Sequence, residues 1–115
     1  MSIFDTKAKL LRIYMPERDT KNGMPLHDWI LEKAREKNIA GATVIKGIAG
    51  YCIHSPVSLP GCMSLEINRP VIVEIIEQIE NIEMFAEFIK DDISLGIMTV
   101  SDVNICFMSH RSEEN

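Results

Sequence analysis

Residues 39–52, "IAGATVIKGIAGYC", combine strand-forming side chains with a cluster of small ones. Three of these residues are glycine, three are alanine, and Lys46 is the only charged one. The β-branched side chains in the middle predict a strand over 42–48. Gly47 and Gly50 allow other groups to come close to the backbone, because glycine has no side chain. The stretch therefore predicts a packed strand that ends in a backbone platform for a ligand.

Outward from this stretch, hydrophobic periodicity predicts three more strands and two helices. The predicted strands are 9–15, 42–48, 70–77 and 102–108, and the predicted helices are about 24–37 and 79–94. This β-α-β-β-α-β order predicts a ferredoxin-like α+β fold, with two helices on one face of a four-stranded antiparallel sheet. We expect a single domain over 1–115, with a core of about 9–108, a flexible loop of about 52–69 and a polar tail of about 109–115.

Apolar side chains on both faces of the predicted strands indicate an oligomer. The helices cover only one face, so we expect another subunit to cover the other. Arg12 and Glu74 interrupt the first and third strands, which are neighbours in this topology, and we expect them to face each other. Two interpretations stay open for these charges: an ion pair at a subunit interface, or part of a site for an anionic ligand.

The charge balance and the cysteine pattern exclude several classes of protein. A net charge of -5 argues against binding to nucleic acid, and the central strands lack the paired aromatic residues that stack on RNA bases. The sequence contains neither a membrane-length apolar run nor the apolar core of a signal peptide. Cys52, Cys62 and Cys106 are odd in number and lack paired spacing, which predicts reduced thiols in the cytoplasm.

No constellation of residues in the sequence predicts catalysis. A nucleophile elbow, a Walker loop and a dinucleotide fingerprint are all missing, so we expect a protein that is not an enzyme. Cys52, His54 and Cys62 fall in one predicted loop, where a soft metal is an alternative ligand, but a fourth ligand is lacking. Cys106 is predicted to be a small buried residue of the last strand.

Five segments of the sequence resemble, in order and spacing, the family catalogued as domain of unknown function 190. These segments are "RIYMPE" (12–17), "NGMPL" (22–26), "AREKNIAGATVIKGIAGY" (34–51), "PVIVEI" (70–75) and "GIMTVSDV" (96–103). The family is similar to the PII-like signalling superfamily. The resemblance implies a homotrimer that binds small effectors, often adenine nucleotides (AMP, ADP or ATP), in clefts between subunits. It also implies that the loop after the second strand reports the bound state to a partner protein.

The resemblance assigns roles to several residues. Gly50 and Tyr51 match the start of a Gly-Phe-Gly turn at the base of the loop, and Cys52 stands where its second glycine would be. Thr99 matches a short turn before the last strand, which forms the other wall of the cleft. Exposed backbone N–H groups in such a turn can hold phosphate oxygens.

The chain also departs from the family pattern. Pro16 and Asn38 occupy common glycine positions, and the turn around Thr99 lacks the lysine that binds phosphate in true PII proteins. Positive charge is then left to Lys46, Arg12 and, in the tail, Arg111. The predicted ligand-binding residues are Gly47, Gly50, Tyr51, Cys52, Thr99, Lys46 and Arg12.

Three functions remain open from the sequence. The leading hypothesis is a cytoplasmic sensor, a homotrimer that binds a small anionic effector and regulates a partner such as a transporter or an enzyme. The second is a metal-binding trimer that resembles the divalent-cation tolerance proteins. The third is a scaffold whose loop docks on a partner without any effector.

Overall fold

The computed structural model describes residues 6–50 and 69–109, and this part of the chain forms six strands and two helices. The strands are β1 (Thr6–Pro16), β2 (Thr20–Lys21), β3 (Met24–Pro25), β4 (Thr43–Lys46), β5 (Pro70–Glu77) and β6 (Ile97–Ile105). The helices are α1 (Leu26–Glu36) and α2 (Ile79–Ile89), and a short 3-10 turn, Lys90–Asp92, follows α2.

Four of the strands form one antiparallel sheet in the order β4-β5-β1-β6. The longest strand, β1, lies in the interior of the sheet and pairs with β5 on one side and β6 on the other. This order confirms the predicted ferredoxin-like α+β fold. The small strands β2 and β3 form a separate hairpin beside α1.

The core lies between the two helices and one face of the sheet. Alternate residues of β1 and β5 point into it because side chains alternate along a strand. The fully buried sheet residues are Leu11, Ile13, Met15, Val71, Val73 and Ile75, and the buried helix residues are Leu26, Trp29, Ile30, Ala34, Ile82, Phe85 and Ile89. The helix residues recur at three- and four-residue spacing, which confirms the predicted apolar stripes.

The last strand differs most from its prediction. β6 begins at Ile97 and ends at Ile105, several residues earlier than the predicted 102–108. Polar and apolar residues occur on both of its faces because β6 is an edge strand, and this mixture conceals the period of two. Cys106 follows the strand and is exposed, so the prediction of a buried cysteine is wrong.

Both helices are also shorter than predicted. The segment before α1 forms the β2–β3 hairpin, since its Asn-Gly pair favours a tight turn over a helix. Asn38, just after α1, has a φ of 64°, in the left-handed region that asparagine tolerates at helix ends. α2 ends at Ile89 and not near the predicted 94, and Gly96 directly precedes β6. None of the helices among the described residues has the length and apolar character needed to cross a membrane.

The sheet face away from the helices, which we call the open face, is largely apolar. It carries Arg12, Tyr14, Ile45, Ile72, Glu74, Ile76 and Ile97. Ile45, Ile76 and Ile97 are 41%, 49% and 59% exposed in the single chain. Exposed apolar surface of this kind favours a covering partner.

The Glu77 carboxylate fastens the start of α2 to the segment after α1. It accepts hydrogen bonds from the Ala40 N–H at 3.0 Å, the Gln78 N–H at 3.1 Å and the Asn81 amide at 2.9 Å. Burial favours a raised pKa for Glu77, but these three bonds outweigh it and leave the pKa below its ordinary value. The charged carboxylate therefore stabilises the folded state.

Replacement of Glu77 by glutamine is expected to lower the free energy of unfolding at pH 7 by about 1 kcal/mol, because the amide cannot accept all three hydrogen bonds. The folded pKa lies below the unfolded one, so the contribution is complete above about 4.5 and is lost as the pH falls through the folded pKa. Urea denaturation at pH 7 and pH 3 measures both effects. Glu83→Gln, on the exposed side of α2, is the control and should change little; an equal loss at both pH values would contradict the role of Glu77.

Candidate functional site

Three neighbouring strands have an end on the same side of the sheet, and we call this region the loop base. It consists of Glu17 after β1, Lys46 and Gly47 at the end of β4, and Arg69 and Pro70 at the start of β5. The Gly47 N–H donates to the Pro70 carbonyl oxygen at 2.8 Å, and the Glu17 N–H donates to the Arg69 carbonyl oxygen at 2.8 Å. These hydrogen bonds continue the β4–β5 and β1–β5 pairings by one residue beyond the strands. The loop base therefore holds both described ends of the chain that flank segment 51–68.

Gly47 and Gly50 both pack against the ring of Pro70. A side-chain carbon at Gly47 would lie 2.8 Å from Pro70 Cγ, and one at Gly50 would lie 2.9 Å from the same atom. Real Cβ atoms do not come this close. The segment from Gly47 to Gly50 can therefore approach the start of β5 only because both positions are glycine. The neighbour that approaches these glycines is a proline of the same chain, and their predicted role in binding a ligand stays a prediction.

The loop base carries two cations and one carboxylate. Lys46 Nζ lies 3.0 Å from Glu17 Oε2, and their side chains are 57% and 32% exposed. Arg69 Nε is enclosed and has no hydrogen-bond partner among the residues that the structure describes. The loop base therefore carries two cationic side chains and one carboxylate, a balance that favours an anion.

A second polar group lies on the open face. Arg12 Nε donates to Glu74 Oε2 at 2.8 Å, and the side chains are 41% and 28% exposed. This hydrogen bond raises the pKa of Arg12 above its ordinary value. Thr43 and Thr99 extend the row on either side, because Thr43 pairs with Glu74 and Thr99 with Arg12. The predicted contact between Arg12 and Glu74 is confirmed.

The structure divides the predicted ligand-binding residues into two groups within one chain. Lys46, Gly47 and Gly50 lie at the loop base, whereas Arg12 and Thr99 lie on the open face. Lys46 is three residues beyond Thr43 along β4, so its side chain starts from the opposite face of the sheet to Arg12, roughly 10 Å along the strand. Tyr51 and Cys52 lie outside the described residues.

Thr99 requires a correction. It was expected in a short turn before the last strand, but it lies inside β6, exposed and paired with Arg12. The strand begins earlier because its residues complete the ladder along the interior strand β1, a long-range pairing that local composition does not reveal. Thr99 is therefore a neighbour of the Arg12–Glu74 pair.

A cavity of about 500 Å³ opens beside this row, on the open face. Its polar lining comes from Thr43 and Glu74, and its apolar lining includes Ile76, Ile105, Phe107 and Met108. Phe107 and Met108 are about 70% exposed, which is unusual for side chains of this size. The lining of the cavity is mainly apolar, and no pattern in the sequence indicated a cavity at this place.

Neither a metal site nor the residues proposed for one are found in the described part of the chain. Within residues 6–50 and 69–109, no group of three His, Cys, Asp or Glu side chains is placed to hold a metal ion. Cys52, His54 and Cys62, the alternative metal ligands, lie outside these ranges.

Glu17 and Arg69 are the residues of the loop base that sequence analysis missed. Both lie in polar segments without periodicity, so no pattern marks them. Glu17 contacts Lys46, and Arg69 precedes Pro70, the partner of Gly47, because the strand order brings the end of β1 and the end of β4 to the two sides of the start of β5. The order was predicted, and tracing strand ends along it would have found both residues.

Several solved structures that share this fold are of PII-like proteins. The CPII protein of Thiomonas intermedia K12, in a structure bound to ADP and bicarbonate, matches with a TM-score of 0.63 and 13% identity over 88% of this chain and 90% of that one. A Thermus thermophilus protein described as a putative PII-like signaling protein, TTHA0516, matches with a TM-score of 0.60 and 16% identity over 87% and 90%. The fold of this chain is therefore the PII-like form of the ferredoxin-like fold.

Sequence comparison adds the family. The model of domain of unknown function 190, described as an uncharacterized ACR, matches residues 8–105. A UPF0166 protein of Aquifex aeolicus is 37% identical over 89% of this chain and 96% of its own length. The UPF0166 protein MJ1524 of Methanocaldococcus jannaschii is 33% identical over 86% and 92%. The chain belongs to the domain of unknown function 190 family, which confirms the resemblance.

Proposed function

We propose that this protein is a PII-like sensor, without enzymatic activity, that binds the phosphates of an adenine nucleotide at the loop base. The carrying observation is that Lys46, Gly47 and Arg69 lie at strand ends joined by two backbone hydrogen bonds and the Lys46–Glu17 ion pair, beside the described residues that flank segment 51–68. The ammonium of Lys46 and the guanidinium charge of Arg69 suit a phosphate group. The CPII structure bound to ADP supports a nucleotide as the ligand, since it shares the fold.

The proposed assembly is a homotrimer with the nucleotide in clefts between subunits. The apolar open face supports an assembly, because one chain leaves Ile45, Ile76 and Ile97 exposed. In the single chain, the side chain of Lys46 at the loop base remains 57% exposed. A neighbouring subunit placed across this edge would complete the wall around the ligand.

The proposed output is regulation of a partner protein, a transporter or an enzyme, through segment 51–68. Gly50 and Arg69, the described residues that flank the segment, adjoin Pro70 at the loop base, so a ligand there would change the charge beside them. The proposed location is the cytoplasm, whose reducing conditions suit the exposed thiol of Cys106.

Nucleotide binding is tested by thermal and chemical unfolding with AMP, ADP and ATP. ADP at one hundred times its Kd is expected to raise the free energy of unfolding by about 2.7 kcal/mol. Lys46→Gln removes the ammonium and is expected to weaken binding roughly tenfold. The gain at the same ADP concentration should then fall to about 1.4 kcal/mol.

Lys9→Gln is the matched control. Lys9 also forms an ion pair with a carboxylate, Asp102, at 2.7 Å, but the pair joins β1 to β6 away from the loop base. This variant should respond to ADP as the wild type does. If none of the three nucleotides changes the stability of the wild type at millimolar concentration, the proposed function is wrong.

A further inference from the structure

The Lys46 ammonium at the loop base is already engaged by a carboxylate. Glu17 Oε2 lies 3.0 Å from Lys46 Nζ, within hydrogen-bond range. A carboxylate oxygen and a phosphate oxygen make the same kind of contact with an ammonium group. A ligand phosphate that approaches Lys46 therefore meets a carboxylate that is already bound to the same ammonium group.

The backbone of Glu17 is fixed, whereas its side chain can leave. The Glu17 N–H is bonded to the Arg69 carbonyl oxygen at 2.8 Å, and the preceding residue, Pro16, pairs with Pro70 at the end of the β1–β5 ladder. The Glu17–Lys46 ion pair is partly exposed to solvent, and pairs of this kind are weak. Exchange of the carboxylate for a phosphate thus needs a side-chain rotation and no movement of the sheet.

We infer that Glu17 is an internal competitor for the anionic ligand, which sets the affinity of the site by occupying Lys46 when no ligand is bound. The inference rests on the proposed function, because it assigns the phosphate group of the nucleotide to Lys46. Glu17 lowers affinity in two ways: it neutralises Lys46 in the free protein, and its charge repels a ligand phosphate nearby. Both effects end when the carboxylate becomes an amide.

Repulsion by Glu17 grows with the charge of the ligand, so its effect on affinity should differ between ADP and AMP. Removal of the carboxylate charge should improve the binding of ADP more than that of AMP. A merely structural role for Glu17 would weaken binding of both ligands, because the glutamine variant would loosen the loop base.

The test is calorimetric titration of the full chain with ADP and AMP. Glu17→Gln is expected to bind ADP roughly three- to tenfold more tightly than the wild type, with a smaller gain for AMP. Asp102→Asn is the matched control, because it also removes one carboxylate that pairs with a lysine and changes the net charge equally. The control should bind ADP as the wild type does.

A second pair of variants tests whether the effect passes through Lys46. In the Lys46→Gln background, Glu17→Gln should give a clearly smaller gain, because only the repulsion between Glu17 and the ligand phosphate is then left to relieve. Unchanged or weaker ADP binding by Glu17→Gln overturns the inference and leaves the proposed function standing. An equal gain in both backgrounds overturns it as well.

Failure of the proposed function gives a different result. If the wild type and all variants bind neither nucleotide, inorganic pyrophosphate is titrated into the wild type, Glu17→Gln and the double variant. Tighter pyrophosphate binding by Glu17→Gln, lost in the double variant, upholds the competitor role for another anion. The lack of any such gain overturns the inference too.

Discussion

Substitution of Gly96 by alanine is expected to lower the free energy of unfolding by about 3 kcal/mol or more, from backbone strain and steric overlap together. Gly96 has a φ of +139°, a conformation that residues with a side chain rarely adopt. A Cβ atom there would overlap with the carbonyl oxygen of Tyr14 in β1. Tyr14 belongs to an interior strand and pairs with Ile97, so it cannot move aside without breaking the β1–β6 ladder.

Gly41→Ala is the matched control for this prediction. A methyl group added at Gly41 would have no neighbour within 4 Å, and the residue has no positive φ, so its replacement should change stability by no more than about 0.5 kcal/mol. Urea denaturation of both variants at one protein concentration gives the comparison, because an oligomer's stability depends on concentration. Equal stability of the two variants would show that the entry to β6 tolerates a side chain.

The sequence allowed the fold to be predicted where one residue pattern fits only one structure. In β1 the alternation of Leu11, Ile13 and Met15 with outward residues admits only a strand, and all three are fully buried. The stripe around Ile30 in α1 is equally clear. Because strand order follows from the β-α-β-β-α-β sequence of elements, the contact between Arg12 and Glu74 was also predictable.

Prediction was weaker where a residue's role depends on a distant neighbour. Gly96 resembles a helix-ending glycine, and only the approach of the Tyr14 carbonyl reveals its actual role. Thr99 and the start of β6 are fixed by pairing with β1, about 90 residues earlier in the chain.

In the candidate site, too, some residues are marked by a local pattern and others depend on distant neighbours. Gly47, Gly50 and Lys46 were identified because they follow a recognisable strand, and the structure places them together at the loop base. Glu17 and Arg69 complete that cluster from segments without any pattern. No local pattern marks them, and they are found only by following the predicted strand order to the place where three strand ends meet.

Replacement of Glu74 by lysine is expected to convert the proposed trimer to monomers at micromolar concentration. The Glu74 carboxylate lies 2.8 Å from the Arg12 guanidinium in the middle of the open face. A lysine there would place two cations opposite each other on neighbouring strands, which is unfavourable even in water. Under a covering subunit the cost is greater, because both charges would lose solvent without a partner. Light scattering coupled to size-exclusion chromatography measures the change.

An exchange of the two charges separates the role of the ion pair from that of either residue. Arg12→Glu together with Glu74→Arg restores an opposite-charge pair in register and should recover the assembly in part, unlike either single reversal. Lys9→Glu is the control, because it creates a like-charge pair with Asp102 between β1 and β6 but on the face away from the open face. It should leave the mass in solution unchanged. If Glu74→Lys keeps the wild-type mass and Lys9→Glu does not, the subunits meet through another surface, and the open face must be covered in some other way.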